Sequence, residues 1–258
     1  MEFETLRVEQ HDGVVVITLN RPEVMNALNS QMRREIAYVA TEAPESGRVL
    51  AIVGSGKAFC SGQDLGDRVD ASNVNLERTL REEYFPMLDA IKDCPIPTVC
   101  AVNGAAAGAG ANLALAADVV VAAESAYFVQ AFSRIGLIPD AGGTWLLPRK
   151  VGLARSMGAS LFAEKIAARQ AAEWGMIWES VPDAEFEEHW QGRALQLARG
   201  PTEAYKRIKL ALRASFSNDF ESQLRLEAKL QGEAGKTRDF QEGVLAFVEK
   251  RKPEFEGR

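Results

Sequence analysis

Seven consecutive residues, Gly104 to Gly110, are only glycine or alanine, and this run constrains the fold more than any other stretch. A β-branched segment, Thr98 to Val102, and the polar Asn103 precede it. An apolar helical pattern, Leu113 to Ala117, and the run Val119-Val120-Val121 follow it. Strand, small-residue turn, helix and strand in that order predict an α/β crossover unit. A second glycine turn follows at Asp140-Ala141-Gly142-Gly143-Thr144. A turn without side chains lets backbone N–H groups approach a ligand closely. The first N–H groups of the next helix are unpaired, and its dipole makes that end electropositive. Gly104 to Gly110 is therefore a candidate seat for an anion, or for an oxygen that becomes one. The same residues also suit a tight packing turn, with Asp140 as a surface turn residue, and at this point both readings stand.

The chain has 258 residues, 47% of them apolar, enough for one full α/β core with a small appendage. Its net charge of −6 does not favour nucleic acid or an anionic membrane as partner. No apolar run approaches the roughly 20 residues needed to span a bilayer. The start MEFETLRVEQ has no basic and apolar leader pattern, so a cytoplasmic protein is expected. Cys60, Cys94 and Cys100 are an odd count without a pairing pattern, which argues against a disulfide framework. Cys60 reads as a packing residue, with a reactive thiol as the alternative. His11 falls in a polar turn and His189 in the acidic stretch EFEEHW, so neither predicts a nucleophile pair or a zinc site. Carboxylates and backbone N–H groups are left to carry any chemistry, with no metal.

Residues 3–19 alternate around His11-Asp12-Gly13 and predict a β-hairpin. Asn29 or Ser30 can cap a helix to about Thr41. Arg48 to Val53 reads as a strand. The stretch Gly54 to Gly66 holds four glycines at that strand's C-terminal end, the usual ligand edge of an α/β sheet. Lys57 does not complete a phosphate-binding loop, and a plain surface loop is the alternative. Residues 76–93 predict an amphipathic helix closed by Cys94-Pro95-Ile96-Pro97. Further helices are expected over Leu153–Leu161, Ile166–Trp174, Glu185–Arg199, Thr202–Ser215, Phe220–Ala234 and Phe240–Lys250, with a strand at Met176–Trp178. Gly200-Pro201 marks the expected boundary between a core, residues 1–200, and a helical region, residues 201–258.

One competing pattern needs weighing. Gly104, Gly108 and Gly110 have the spacing of a short-chain dehydrogenase turn, Glu124 could bind a ribose, and Tyr205 with Lys209 forms a YxxxK pair. A dinucleotide turn normally follows the first strand of its domain, whereas about a hundred residues of patterned sequence precede this one. An NAD(P)-dependent oxidoreductase is therefore the weaker reading.

Five motifs in order resemble the crotonase (enoyl-CoA hydratase/isomerase) superfamily. They are NRPEVMNALN (20–29), GKAFCSGQDL (56–65), PTVCAVNGAAAGAGANLALAAD (97–118), IGLIPDAGGTWLLPR (135–149) and EGVLAFVEKRKPEF (242–255). The resemblance implies a spiral of ββα repeats and homotrimers, often paired into hexamers, built through the C-terminal helices. It implies an acyl-CoA substrate, with coenzyme A belonging to the substrate and no separate cofactor. It puts the two N–H groups that hold the thioester oxygen on Gln63 and Ala109, in keeping with their glycine-rich turns. Asn26, Ala27, Leu28, Ala58, Asp64 and Leu65 match positions of the CoA pocket, Gly62 and Gly108 of the glycine turns join them as substrate-binding candidates, and Asn112 is expected either to position the substrate or to contact Asp140.

Departures from the family pattern then point to a subtype. The two glutamates with which hydratases activate water would fall at Asn112 and Phe132, so both carboxylates are missing. Asp140 stands where hydratases commonly have glycine and where isomerases of the superfamily place an aspartate. One carboxylate suits a proton shuttle, and an apolar pocket would raise its pKa. The segments 106–118, 128–149 and 173–178 are most similar to isomerases that turn the ring 1,2-epoxide of phenylacetyl-CoA into oxepin-CoA. Phe132, Tyr84 and Trp145 would give an aromatic-tolerant pocket, or serve as core. An aliphatic enoyl-CoA isomerase or hydratase of β-oxidation is the alternative, and a non-catalytic scaffold of the same fold is more remote.

Overall fold

The computed structural model describes residues 3–64, 66 and 75–258; the candidate pocket residue Leu65 lies outside them. The predicted hairpin forms from β1 (Leu6–His11) and β2 (Val14–Leu19), paired antiparallel around Asp12-Gly13. Next comes α1 (Ser30–Ser46), capped by the Asn29 side chain, which accepts the Met32 N–H at 2.8 Å. Met32, Ile36, Val39 and Ala43 put its apolar stripe on the core. The helix outlasts the expected end at Thr41: buried Ala43 keeps its last turn on the core, and the Gly47 N–H closes that turn on Ala43 O at 2.8 Å.

From here the chain alternates between two sheets. β3 (Val49–Gly54) enters the larger sheet and β4 (Ala58–Cys60) the smaller, followed by α2 (Leu76–Thr79), a π-helical turn (Leu80–Tyr84) and α3 (Phe85–Lys92). β5 (Thr98–Val102) and β6 (Ala105–Ala107) repeat the step and lead into α4 (Ala109–Ala116). β7 (Val119–Ala123) and β8 (Tyr127–Val129) repeat it again, leading through a 3₁₀ turn (Ala131–Ile135) into α5 (Gly143–Phe162). With β9 (Ile166–Ala167) and β10 (Glu179–Val181) added, the larger sheet has the order β1-β2-β3-β5-β7-β10 and the smaller β4-β6-β8-β9. Apart from the antiparallel pairs β1–β2 and β8–β9, all pairings are parallel. This is the spiral of ββα units that the resemblance implies.

The smaller sheet corrects the sequence reading. Ala105–Ala107 was expected as turn, yet it pairs with both β4 and β8. Its strands are three residues or fewer, too short for a period-2 signal. β9 (Ile166–Ala167) likewise takes the start of an expected helix, which becomes α6 (Ala168–Glu173). The strand expected at Met176–Trp178 begins three residues later as β10 (Glu179–Val181), although Trp178 N–H already donates to Val120 O at 3.0 Å. α5 begins ten residues before the expected helix at Leu153, and Gly152, with φ 77°, kinks it.

After α7 (Phe186–Ala198) the chain runs through α8 (Thr202–Ala214), α9 (Phe220–Ala234) and α10 (Arg238–Glu249). Two groups fasten this region to the core. Asp118, after α4, takes the Thr98 N–H and hydroxyl through one oxygen and pairs with Lys209 and Arg213 of α8 at 2.6 and 2.7 Å. Arg48, just before β3, donates to Thr202 Oγ1 at 2.9 Å, to Phe255 O at 3.0 Å and to Gly200 O. Among the described residues no helix is long and apolar enough to cross a membrane.

Candidate active site

The site is built where β4 and β6 deliver their following turns to one place. Leu28 and Gln63 form a parallel bridge, with Leu28 N–H donating to Gly62 O and Asp64 N–H to Leu28 O. Neighbouring residues of a strand point their N–H groups to opposite sides, so the Gln63 N–H faces away from Leu28. Ala109 is the first residue of α4, and its N–H is one of the helix's unclaimed donors. Gly108 reaches that position with φ 52° and ψ −125°, a conformation that needs glycine, and Phe132 lies 3.7 Å from where its Cβ would be. A Cβ on Gly62 would stand 2.8 Å from Ala107 O and 3.4 Å from Ala109 N, so the two turns touch through the absence of a side chain. Two backbone donors thus share one side of the α4 N-terminus.

Asp140 approaches from the second glycine turn. Ala141 (φ 47°) and Gly142 (φ 81°) are both left-handed, a strained path for the alanine, and they turn the chain sharply into α5. The Asp140 carbonyl accepts from Gly143 N–H at 2.8 Å and from Asn112 Nδ2 at 2.7 Å. Asn112 Oδ1 in turn accepts from Gln130 Nε2 at 2.9 Å, and both amides are fully buried. Asn112 therefore braces the turn through the Asp140 main chain. The Asp140 carboxylate stays uncommitted: Oδ1 is buried without a partner among the described residues. Burial pushes its pKa up to about 6, against a small opposing pull from its own backbone N–H.

Beneath Gln63 lies a buried cluster that the sequence reading passed over. Arg33, on α1, is 1% exposed. Its Nη1 donates to Leu28 O at 2.5 Å and to Gln63 Oε1 at 3.2 Å, while Nε and Nη2 reach Glu83. Its guanidinium lies 4.7 Å from the Tyr84 ring centroid, and the Tyr84 hydroxyl donates to Gln63 Oε1 at 2.7 Å. Gln63 Nε2 folds back to Asp64 O at 3.2 Å. The peptide carrying the Gln63 N–H is thus held from the Leu28 side and from its own side chain. Burial raises the Tyr84 pKa, Arg33 lowers it and the Asp140 charge raises it, so Tyr84, hydrogen-bonded to Gln63, also stands within electrostatic reach of Asp140. The sequence signal was available: Arg33 shares the apolar stripe of α1 with Ile36 and Ala40, an unusual place for a charge.

The other candidate residues divide. Asn26, fully buried, accepts the Arg21 N–H and donates to Ser55 O and Ala58 O. Asp64 pairs with Arg21 at 2.6 Å, and Arg21 also donates to Ala27 O at 2.7 Å. Asn26, Ala27, Leu28, Ala58 and Asp64 therefore form one cross-braced wall beside Gln63, with the polar side chains engaged in holding backbone. Trp145 lies elsewhere, 42% exposed, with Arg149 4.1 Å over its ring. Cys60 is buried and its pKa is pushed up to about 12, which makes it a packing residue. The dehydrogenase pattern does not assemble. Glu124 pairs with Arg169, the Tyr205 hydroxyl packs at Gly200, and Lys209 binds Asp118 and the Cys94 and Ile96 carbonyls.

The glycine-rich turns thus bring two N–H donors, a raised carboxylate and a braced side wall together, and the chain as a whole can be set beside known proteins. Residues 9–258 match the enoyl-CoA hydratase/isomerase family. The chain is 61% identical to a probable enoyl-CoA hydratase of Rhodobacter capsulatus and 46% identical to a 1,2-epoxyphenylacetyl-CoA isomerase of Escherichia coli, each covering 100% of both chains. The crystal structure of an enoyl-CoA hydratase from Bacillus anthracis superposes with a TM-score of 0.91 at 32% identity, covering 99% of this chain and 100% of that one. With its repeats, its paired glycine turns and its full-length likeness, this chain belongs to the crotonase family of enoyl-CoA hydratases and isomerases.

Proposed function

We propose that the protein is an acyl-CoA isomerase that works through a thioester enolate, with Asp140 as the proton-carrying group. The observation that carries this reading is the buried, unpartnered Asp140 Oδ1, on the turn braced by Asn112 and within electrostatic reach of Tyr84. In the proposed reaction the Gln63 and Ala109 N–H groups hold the thioester oxygen. Asp140 takes a proton from the carbon next to the carbonyl, and the electron pair moves onto that oxygen. Donors fixed before the charge develops are worth roughly 10²–10³ each in rate. For a 3-enoyl-CoA, Asp140 returns the proton to the γ-carbon as the double bond shifts to the 2-position. For a ring 1,2-epoxide of phenylacetyl-CoA, the carbon–carbon bond shared by epoxide and ring opens to the seven-membered oxepin, and the proton moves to the ring. Nothing is gained or lost in either case, so the chemistry calls for no cofactor beyond the substrate's own CoA.

The name of the Escherichia coli relative supports the aromatic substrate, and Phe132 over Gly108 supplies a ring beside the oxyanion turn. The name of the Rhodobacter capsulatus relative favours hydration instead. Against it, the positions expected to carry the water-activating glutamates hold Asn112, committed to the Asp140 turn, and Phe132. The CoA arm is assigned to the wall formed by Asn26, Ala27, Leu28, Ala58 and Asp64. We further infer a cytoplasmic homotrimer or hexamer, supported by exposed apolar side chains on α10 (Phe240, Val244, Phe247) and α5 (Leu153, Met157, Leu161).

The decisive experiment incubates phenylacetyl-CoA and a 3-enoyl-CoA in D₂O with wild type and Asp140→Asn, alongside a hydration assay on a 2-enoyl-CoA. Deuterium exchange and double-bond migration are expected in wild type and lost in the variant, which still binds CoA esters. Isomerisation retained by Asp140→Asn, or hydration as the dominant wild-type activity, would overturn the assignment. No turnover at all would leave the scaffold reading.

A further inference from the structure

A cavity of about 720 Å³ opens between α3, the C-terminal end of α4, α5 and α8. Its size suits a small organic ligand. Leu88, Leu115, Trp145, Leu212 and Phe216 give it an apolar body. Its charged lining is unbalanced: Lys92, Arg149, Lys150, Lys209 and Arg213 face only Asp89 and Asp118. In a chain of net charge −6 this is a local reversal of sign.

Four of the five cations are accounted for. Lys209 and Arg213 share Asp118. Arg149 lies 4.1 Å over the Trp145 ring and 5.6 Å from the Phe216 ring, and it donates to Trp145 O. Lys92 pairs with Asp93. Lys150 is the exception: it is half-buried and, among the described residues, makes no hydrogen bond or ion pair. Burial pushes its ammonium below the ordinary lysine range; Asp118 opposes that and Arg213 adds to it. An ammonium held against apolar walls without a counter-ion is costly, and an anion placed beside it offsets the cost.

We propose that this cavity is a binding site for a small carboxylate with an aromatic body, such as an arylacetate, its charge taken by Lys150 and its ring packed among Trp145, Leu115 and Phe216. Trp145 with the Arg149 guanidinium above it forms one flat wall, and the aliphatic side chains close the others. Gln63, Ala109 and Asp140 do not line the cavity, so it is not the proposed catalytic pocket. Ala141 and Gly142 do line it, and they directly follow Asp140. A ligand here therefore adjoins the strained turn that presents the catalytic carboxylate.

The test is isothermal titration calorimetry with the intact protein and phenylacetate, set beside the uncharged analogue 2-phenylacetamide. Saturable binding of the acid is expected, with the amide at least tenfold weaker. Lys150→Met should weaken the acid at least tenfold and leave the amide unchanged. Leu212→Asp, on the exposed rim, should weaken the acid through added negative charge. No saturable binding, equal binding of acid and amide, or binding indifferent to both substitutions would overturn the proposal. The amide comparison needs no variant, so a misfolded Lys150→Met cannot mask the outcome. Binding is read without turnover, so the isomerase reading and this one can fail separately.

Discussion

At the scale of single residues, the site combines a costly carboxylate with a guarded backbone donor. A carboxyl group whose folded pKa is about 6, above its unfolded value near 3.8, destabilises the folded state once it ionises. The relative stability it lends is complete below pH 4 and lost as pH rises through 6. Asp140→Asn should therefore unfold like wild type in urea at pH 4 and be more stable at pH 8. For a half-buried group, screening trims the gain to roughly 1–2 kcal/mol. A wild type as stable as the variant at pH 8 would mean that the carboxylate is not under strain. Tyr84→Phe removes one of the two donors on Gln63 Oε1 while keeping the ring under Arg33. It should lower kcat about tenfold, equivalent to ~1.4 kcal/mol, with KM nearly unchanged, as steady-state kinetics on a 3-enoyl-CoA would show. Asp140 was legible in the sequence as a lone acid in a glycine turn. The Asn112 brace was not, and of the Arg33 cluster only the charge on the apolar stripe of α1 was, because residues 28, 33, 63 and 84 meet only through tertiary packing.

Among secondary elements, α4 is the helix that ties the two glycine turns together. Its N-terminus supplies the Ala109 donor, its Asn112 holds the Asp140 turn, and every residue from Ala109 to Ala116 is buried. Gly110 lets it press against β4, since a Cβ there would lie 2.4 Å from Cys60 O and 2.7 Å from Cys60 Sγ. The Cys60 carbonyl cannot move without shifting the strand, so Gly110→Ala should cost at least ~2 kcal/mol of stability, measured by chemical denaturation. An unchanged midpoint would show the packing to be looser than this. The long elements were readable because their hydrophobic periods run over two turns or more, as in α1 and α9. The smaller sheet was not, because Ala105-Ala106-Ala107 carries no period and its strand character comes from the neighbours on either side.

For the whole molecule, the C-terminal helices leave more apolar surface in solvent than a monomer usually shows. Phe247 is 85% exposed and Val248 71%. Sedimentation velocity should therefore find a trimer or hexamer, and Phe247→Glu should shift the population to smaller species. A wild-type monomer would remove the oligomer from the proposal. The motif order identified the fold from sequence, whereas the exposed apolar faces of α5 and α10 become visible only once those helices are placed.

The Arg48 clamp bears on how the chain acquires its shape. Arg48 joins the start of β3 to Thr202, Gly200 and Phe255, contacts that span up to 207 residues of sequence. Contacts so distant close late, because the entropy of bringing the chain ends together must be met before they give anything back. In synthesis the carbonyl of Phe255 follows every strand of the two sheets and both glycine turns. The clamp can therefore close only after the segments that build both sheets are already available to pair.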